Sequence, residues 1–132
     1  MSVIPEEPVT EVIAAQAVIV ADRDGVICEW NGVAEHIFGY SAVEAIGQTI
    51  DLIMPEEERA DHWRNYRRVM ATNVMNYSPD HILDIEGVRQ DGSRVSLDAT
   101  LTAIRDPSGR ISAITATMRE VEMIVGLDSS SS

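Results

Sequence analysis

The sequence predicts an α+β fold: a five-stranded antiparallel sheet with helices between strands 2 and 3 packed on one face. Two short apolar runs joined by a tight turn lie near the N-terminus. Residues typical of helix ends and of an amphipathic helix occupy the middle of the chain. The second half then alternates apolar and polar residues with a period of two, which is the pattern of half-buried strands.

The first two strands are predicted from the apolar runs Ala17–Ala21 and Val26–Trp30. Asp24 and Gly25 lie between the runs. Asp-Gly in this setting is a strong hairpin signal, because glycine accepts the positive φ that tight turns need. We therefore expect an antiparallel hairpin here.

Two short helices are predicted next from their capping residues. Asn31 stands at an N-cap position ahead of helically spaced apolar residues, and Gly39 follows as the C-terminal stop. Ser41 and Glu44 form the pattern of a capping box, which begins the second helix.

A longer helix is predicted from Pro55 to about Thr72. Proline at the first helical position and glutamates in the first turn suit the unpaired N–H groups of a helix start. The apolar stripe of this helix is expected to consist of Trp63, Tyr66, Val69 and Met70, with Asn73 as the C-cap.

Three further strands are predicted in the second half of the chain. His81–Arg89 alternates loosely and ends at an Asp-Gly turn, and residues 95–103 alternate apolar and polar side chains. A turn that contains Pro107 separates them from the last predicted strand, Ile111–Arg119.

Composition narrows the classes of function. A net charge of −12 over 132 residues argues against direct binding to nucleic acid or to an anionic membrane surface. No run approaches the roughly 20 apolar residues of a membrane span, and the acidic N-terminus lacks the features of a signal peptide. The lone Cys28 cannot form an internal disulfide. These features lead us to expect a cytoplasmic location.

One domain is expected over residues 11–122, including a short N-terminal helix at 11–16. Residues 1–10 are expected to form a flexible lead-in. Residues 123–132, which end in a run of serines, are expected to form a disordered tail.

Several motifs together resemble one known family. The stretch from Trp30 to Gly47 carries the pattern W-N-x-x-A-E-x-I-F-G-Y-S-x-x-E-x-I-G, and R-x-D-G-S and M-R-E-V follow at Arg89 and Met118. With these motifs the chain resembles the PAS domain family. The resemblance implies a sensory or protein-interaction module in bacterial-type signal transduction, including regulation of transcription, with a ligand in the cleft between the sheet and the helices.

The chain is not expected to be an enzyme. It contains no G-x-S-x-G, P-loop or G-x-G-x-x-G motif, no H-E-x-x-H and no C-x-x-C. Its three histidines fall on different predicted elements without the spacing of a metal site.

The helix that follows Pro55 also resembles the corresponding helix of FixL-type haem PAS domains. This resemblance implies that His62 is a ligand of haem iron and that Arg68 lies at the haem edge as a propionate partner. Asn65 and Leu83 depart from the pattern, because that group has tyrosine at the first position and an oxygen-contacting arginine near the second.

Other ligands remain open beside haem. Flavin adduct chemistry is rejected, because Ile50 stands where light-sensing PAS domains have their reactive cysteine. An apolar or small organic ligand is the third possibility. The residues expected to contact a ligand are His62, Arg68, Tyr66, Leu83, Ile85 and Leu97, and Ala99, Thr115 and Thr117 are expected to line the same cleft.

Homodimerisation is also expected from the resemblance, through the N-terminal segment and the sheet. Val12 and Ile13 would form the apolar face of that segment, although the segment could instead fold over its own sheet. A ligand-free dimerisation or interaction module is therefore the alternative to a ligand sensor. In either case a downstream signalling protein is implied.

Overall fold

The computed structural model describes residues 15–121. The elements are β1 (Ala17–Asp22), β2 (Ile27–Trp30), α1 (Gly32–Phe38), α2 (Ala42–Ala45), two 3₁₀ turns (Ile50–Ile53 and Glu56–Glu58), α3 (Arg59–Thr72), β3 (Leu83–Val88), β4 (Arg94–Arg105) and β5 (Ile111–Glu120). The strands form one antiparallel sheet in the order β2-β1-β5-β4-β3. The predicted α+β fold is confirmed.

The predictions for the chain ends fall outside the described residues. These are the lead-in at residues 1–10, all but the last two residues of the helix at 11–16, and the tail at 123–132. They stay predictions.

The β1–β2 hairpin closes as the sequence predicts. The Gly25 N–H donates to the Asp22 carbonyl at 2.9 Å, and Gly25 has a φ of +78°. The ring of Trp63 from α3 packs directly on this turn, and its Nε1 donates to Asp51 Oδ1 at 2.8 Å. The hairpin turn is therefore a docking point for α3.

Side-chain caps begin the two short helices. Asn31 Oδ1 accepts from the backbone N–H groups of Ala34 and Val18, both at 3.0 Å. One side chain thus begins α1 and also attaches it to β1. Ser41 and Glu44 form both hydrogen bonds of the predicted capping box.

α3 begins at Arg59 rather than at the predicted Pro55. The Glu58 N–H donates to the Pro55 carbonyl at 3.0 Å, which closes a tighter 3₁₀ turn. Glu58 itself has φ −104° and ψ −3°, outside regular α-helical geometry. The other end agrees with the prediction, because Asn73 ends the helix in the left-handed region with φ +60°.

Two apolar clusters fill the space between the sheet and the helices. The first contains Phe38 of α1, with Trp30 and Leu97 from the strands. In the second, the C-terminal half of α3 packs on β1 and β5 through Tyr66, Val69 and Met70. Trp63, the fourth member of the predicted stripe, is only partly buried because its ring covers the hairpin turn.

Candidate ligand-binding cavity

A cavity of about 620 Å³ lies between the sheet and the helices. Its sheet wall is apolar and comes from the strands other than β2. The residues of that wall are Ile19, Ala21, Leu83, Ile85, Gly87, Leu97, Ala99, Leu101, Ile114, Ala116 and Met118. A volume of this size is ordinary for a small-molecule site, for which roughly 300–1,000 Å³ is typical.

The two halves of α3 lie at different distances from the sheet: one half packs on it, and the other leaves the space that forms the cavity. The C-terminal half packs closely on β1 and β5 through Val69 and Met70. The N-terminal half borders the cavity instead, through Asp61, His62 and Asn65. The helix therefore closes one end of the cleft and leaves the other open.

The cavity-facing side of α3 is polar, in contrast to the sheet wall. Asp61, His62 and Asn65 follow each other at the i, i+1, i+4 spacing within α3, and Glu58 of the preceding 3₁₀ turn borders the cavity beside them. Any occupant would thus meet apolar strands on one side and polar side chains on the other.

His62 is the polar side chain that lies deepest in this arrangement. Its ring centroid lies 5.1 Å from that of Trp63 and 5.5 Å from that of Tyr66. Its Nδ1 is buried and has no hydrogen-bond partner among the described residues. Burial lowers the pKa of His62, and the nearby charge of Asp51 only partly opposes that effect. The imidazole is therefore neutral at neutral pH.

This lowered pKa makes stability depend on pH in a defined direction. The unfolded chain takes up a proton at the ordinary histidine pKa of 6.5, and folded His62 does so only at lower pH. Stability should therefore fall as the pH drops below 6.5. We expect urea unfolding of the wild type to lose more stability between about pH 7.5 and pH 5.5 than that of His62→Gln. His36→Gln, which removes an exposed imidazole, is the control. Equal pH profiles for wild type and His62→Gln would contradict the prediction.

Tyr66 supports the cavity wall and anchors the helix. Its hydroxyl donates to the carbonyl of Asp22 at the end of β1. Burial, with nearby negative charge, raises the pKa of Tyr66 well above its usual range, so the hydroxyl stays a donor. Its ring lines the cavity while its polar tip joins α3 to the sheet.

The exposed lining residues form the rim of the cavity, and its charges have one sign. The rim consists of Glu58, Asp61, Asn65, Tyr77 and Glu86. Asp61 pairs with Arg64 at 2.7 Å, and Glu86 with Arg94 at 3.1 Å. Neither arginine lines the cavity.

The structure brings most of the predicted ligand-contacting residues together. His62, Tyr66, Leu83, Ile85 and Leu97 all line the cavity. Their roles toward a ligand stay predictions.

Arg68 is the exception. It is exposed and donates to Asn76 Oδ1 at 3.0 Å, outside the cavity lining. The physical reason is helical geometry: six residues at 100° each place Arg68 about 120° around the helix from His62. Its placement does not support the predicted contact with a propionate.

The predicted contribution of Thr115 and Thr117 to the lining is wrong. These two side chains pair with Val20 and Val18 on the face of the sheet that points away from the helices. Ala116 and its neighbours on β5 line the cavity in their place. β5 carries small or apolar residues at both its odd-numbered and its even-numbered positions, so its sequence does not reveal which face of the strand points toward the helices.

A haem would need two things from this cavity, and the residues supply one. His62 lies on the wall, where an axial ligand would have to be. Asn65 and Tyr77 could donate to the two propionates at the rim, but the charged lining residues in the described part of the chain are all carboxylates, which would repel these anionic groups. The residues present therefore do not fit a haem.

Sequence reasoning overlooked the acidic rim. Its signal was present in the closeness of Glu58 and Asp61 to His62 along the chain, which brings two carboxylates near the histidine at the start of α3. Glu86 borders the cavity from β3, but its pairing with Ser96 places its side chain on the sheet face that points away from the helices.

The antiparallel sheet, the helices inserted after its second strand and the cavity between them define an α+β domain of the sensory class. The chain belongs to the PAS family: the family model described as PAS fold matches residues 13–121. Members of this family are generally non-catalytic modules of signal transduction, and they commonly bind small molecules and dimerise.

Comparisons with individual proteins agree with this assignment. The sensor protein FixL of Bradyrhizobium diazoefficiens is 38% identical over 81 residues, which cover 58% of this chain and 15% of that relative. A PAS domain from Colwellia psychrerythraea has a TM-score of 0.69 at 18% identity and covers 89% of this chain and 97% of its own. The PAS domain of the Cronobacter turicensis quorum-sensing receptor RpfR, solved in complex with BDSF, has a TM-score of 0.65 at 16% identity, with coverage of 83% and 96%. The two structures show a shared fold.

Between residues 15 and 121, no helix combines the length and the apolar character needed to cross a bilayer. Within the same range no three His, Cys, Asp or Glu side chains are grouped so that they could hold a metal ion.

Proposed function

We propose that this chain is a ligand-sensing PAS domain whose ligand is a small, mainly apolar molecule held in the cavity beside His62. One observation carries the proposal: an apolar cavity of about 620 Å³ has a buried, unpartnered imidazole nitrogen in its wall. An unpaired buried polar atom costs roughly 1–3 kcal/mol, so a rearrangement of the wall around a polar ligand group that pairs it would be favourable.

Binding would act on the N-terminal half of α3, which borders the cavity. The C-terminal half of α3 is held by the second apolar cluster and by the Tyr66 hydroxyl. The N-terminal half has the cavity beneath it, so an occupant contacts the helix there and can favour one position of it over another. That shift would be the signal passed to a partner protein.

Filling the cavity with a side chain tests the proposal. Ala116→Phe introduces a ring from the sheet wall, so we expect it to abolish binding of the neutral probe 2-naphthylmethanol, followed by the change in the probe's fluorescence. Val43→Phe is the matched control, because Val43 is exposed on α2, outside the cavity lining. Failure of the wild type to bind the probe, or equal binding by Ala116→Phe, would contradict the proposal.

A haem sensor is the competing assignment, favoured by the place of His62. Its test is an absorption spectrum after the protein has been mixed with haemin and passed over a desalting column. We expect no Soret band that depends on His62. A Soret band that is present in the wild type and lost in His62→Ala would replace our proposal with the haem assignment.

Homodimerisation is proposed as the second part of the function. Where β4 and β5 pair, the face of the sheet that points away from the helices carries small uncharged side chains, Thr100, Thr102, Thr115 and Thr117, which suits packing against another surface. Light scattering should give twice the monomer mass for the full chain and the monomer mass for a chain that lacks residues 1–14. Equal masses would count against a role of that segment in dimerisation.

A further inference from the structure

We propose that the cavity selects ligands by charge: it favours an apolar molecule that carries a protonated amine over the matched molecule that carries a carboxylate. The inference rests on the proposed function, since it concerns the ligand of the same cavity. It adds the chemical class of that ligand, which neither the fold nor the size of the cavity specifies.

The first support is the sign of the charges around the cavity. Glu58, Asp61 and Glu86 are the charged residues of the lining in the described part of the chain, and all three are exposed. Glu58 and Asp61 border the cavity from the helix side, whereas the pairing of Glu86 with Ser96 puts its side chain on the sheet face opposite to that of Ile85 and Leu97. Glu58 has no ion pair within residues 15–121. A ligand that enters past this rim therefore meets negative charge at every charged position.

The second support is the placement of the cations. All 10 basic residues are arginines, all lie within residues 15–121, and none belongs to the lining. The arginines closest in sequence to the rim already make hydrogen bonds or ion pairs with other groups of the protein. Arg59 donates to the carbonyls of Met54 and Asp51 at 3.3 and 3.2 Å. Arg64 pairs with Asp61.

Arg94 is engaged more strongly than either. Its guanidinium pairs with Glu57 at 2.5 Å and with Glu86 at 3.1 Å, which joins the 3₁₀ turn ahead of α3 to the sheet. Moving it toward an anionic ligand would break both pairs. His62 supplies no positive charge either, because burial lowers its pKa.

The third support is the shape of the polar surface. Asp61 of α3 and Glu58 of the 3₁₀ turn ahead of it border the cavity from the helix side, and the sheet wall opposite is apolar. A molecule with an apolar body and one polar end can lie with its body on Leu97 and Ala99 and its polar end toward Glu58 and Asp61. The polar end in that orientation meets acceptors with negative charge, which an ammonium group satisfies and a carboxylate does not.

Three probes of nearly equal size separate charge from apolar fit: 2-naphthylmethylamine, 2-naphthylmethanol and 2-naphthoate, titrated into the full chain at pH 7 and low salt. We expect affinity to fall in that order. Added salt should lower the affinity for the amine and raise that for the naphthoate, because it screens the rim charge.

Single charge-neutralising variants locate the effect. Glu58→Gln should reduce the ratio of amine to naphthoate affinity by about fivefold, which corresponds to one partly exposed charge pair. Glu29→Gln makes the same change in net charge at an exposed position of β2, away from the lining, and should leave the ratio unchanged.

The outcomes separate this inference from the proposed function. Binding of naphthoate as tightly as the amine, with Ala116→Phe abolishing both, would overturn the charge selectivity and leave the ligand site intact. An equal change of the ratio in Glu58→Gln and Glu29→Gln would also overturn it, because net charge alone would then be responsible. Absence of binding by all three probes would overturn the proposed function and this inference together.

Discussion

Phe38→Ala should lower the free energy of unfolding by about 3–5 kcal/mol, the largest loss we expect from a single truncation in this chain. Phe38 is fully buried, and its ring centroid lies 5.6 Å from that of Trp30. A Cβ placed on Gly87 would lie only 2.9 Å from Phe38 Cε1. The backbone of β3 therefore packs against the ring at a distance that only glycine allows.

The same ring also forms part of the cavity wall, which gives the prediction a second readout. Truncation should enlarge the cavity and weaken binding of the naphthyl probes, since contacts on one side of the ligand are lost. Urea denaturation measures the stability change, with Phe38→Leu as the control that keeps most of the volume and should lose clearly less. Equal losses for the alanine and leucine variants would show that ring packing is not what Phe38 contributes.

The fold could be predicted from the sequence because its signals are local. Asn31 and Ser41 reveal helix starts through side-chain caps, and Gly25 reveals the hairpin through the turn geometry that it permits. Such signals depend on a few adjacent residues, so no knowledge of the tertiary structure is needed. The start of α3 was missed because a 3₁₀ turn and an α-helix share the same preference for proline and acids at their N-terminus.

The site was predictable only in part, since it depends on how distant elements face each other. His62 and Leu97 were expected in the cleft and lie there. Thr115 was assigned to the wrong face because a strand with small residues at both parities does not define its inward side. The unmet expectation for Arg68 came from a resemblance, and counting residues around the helix would have placed it away from His62.

Gly25→Ala should lower the free energy of unfolding by roughly 2–4 kcal/mol through two separate effects. A residue with a side chain is strained by about 1–2 kcal/mol at φ +78°. The new Cβ would also overlap the Cη2 and Cζ3 atoms of Trp63, so the indole must move away from the turn. That movement would break the hydrogen bond from Trp63 to Asp51 and loosen the N-terminal half of α3 above the cavity.

The chain contains a matched control for the first of these effects. Gly109 has φ +89° and donates to the Asp106 carbonyl at 2.9 Å, just as Gly25 does to Asp22, but a Cβ at Gly109 would meet nothing within 4 Å. Gly109→Ala should therefore show the backbone strain alone, about 1–2 kcal/mol. A loss for Gly25→Ala no larger than this would mean that Trp63 yields without cost.

A double-mutant cycle isolates the second effect. In a Trp63→Ala background the ring is absent, so Gly25→Ala should cost only what Gly109→Ala costs, and the difference between the two backgrounds should be about 1–3 kcal/mol. Urea denaturation of the four proteins gives the coupling directly. If the stability losses of Gly25→Ala and Trp63→Ala simply added, the predicted contact between these two positions would be contradicted. The β1–β2 turn could then no longer be regarded as the support of the cavity-facing half of α3. A clear coupling would mean that the position of α3 over the cavity is set from the hairpin side through Trp63, independently of the packing that holds the helix at its other end.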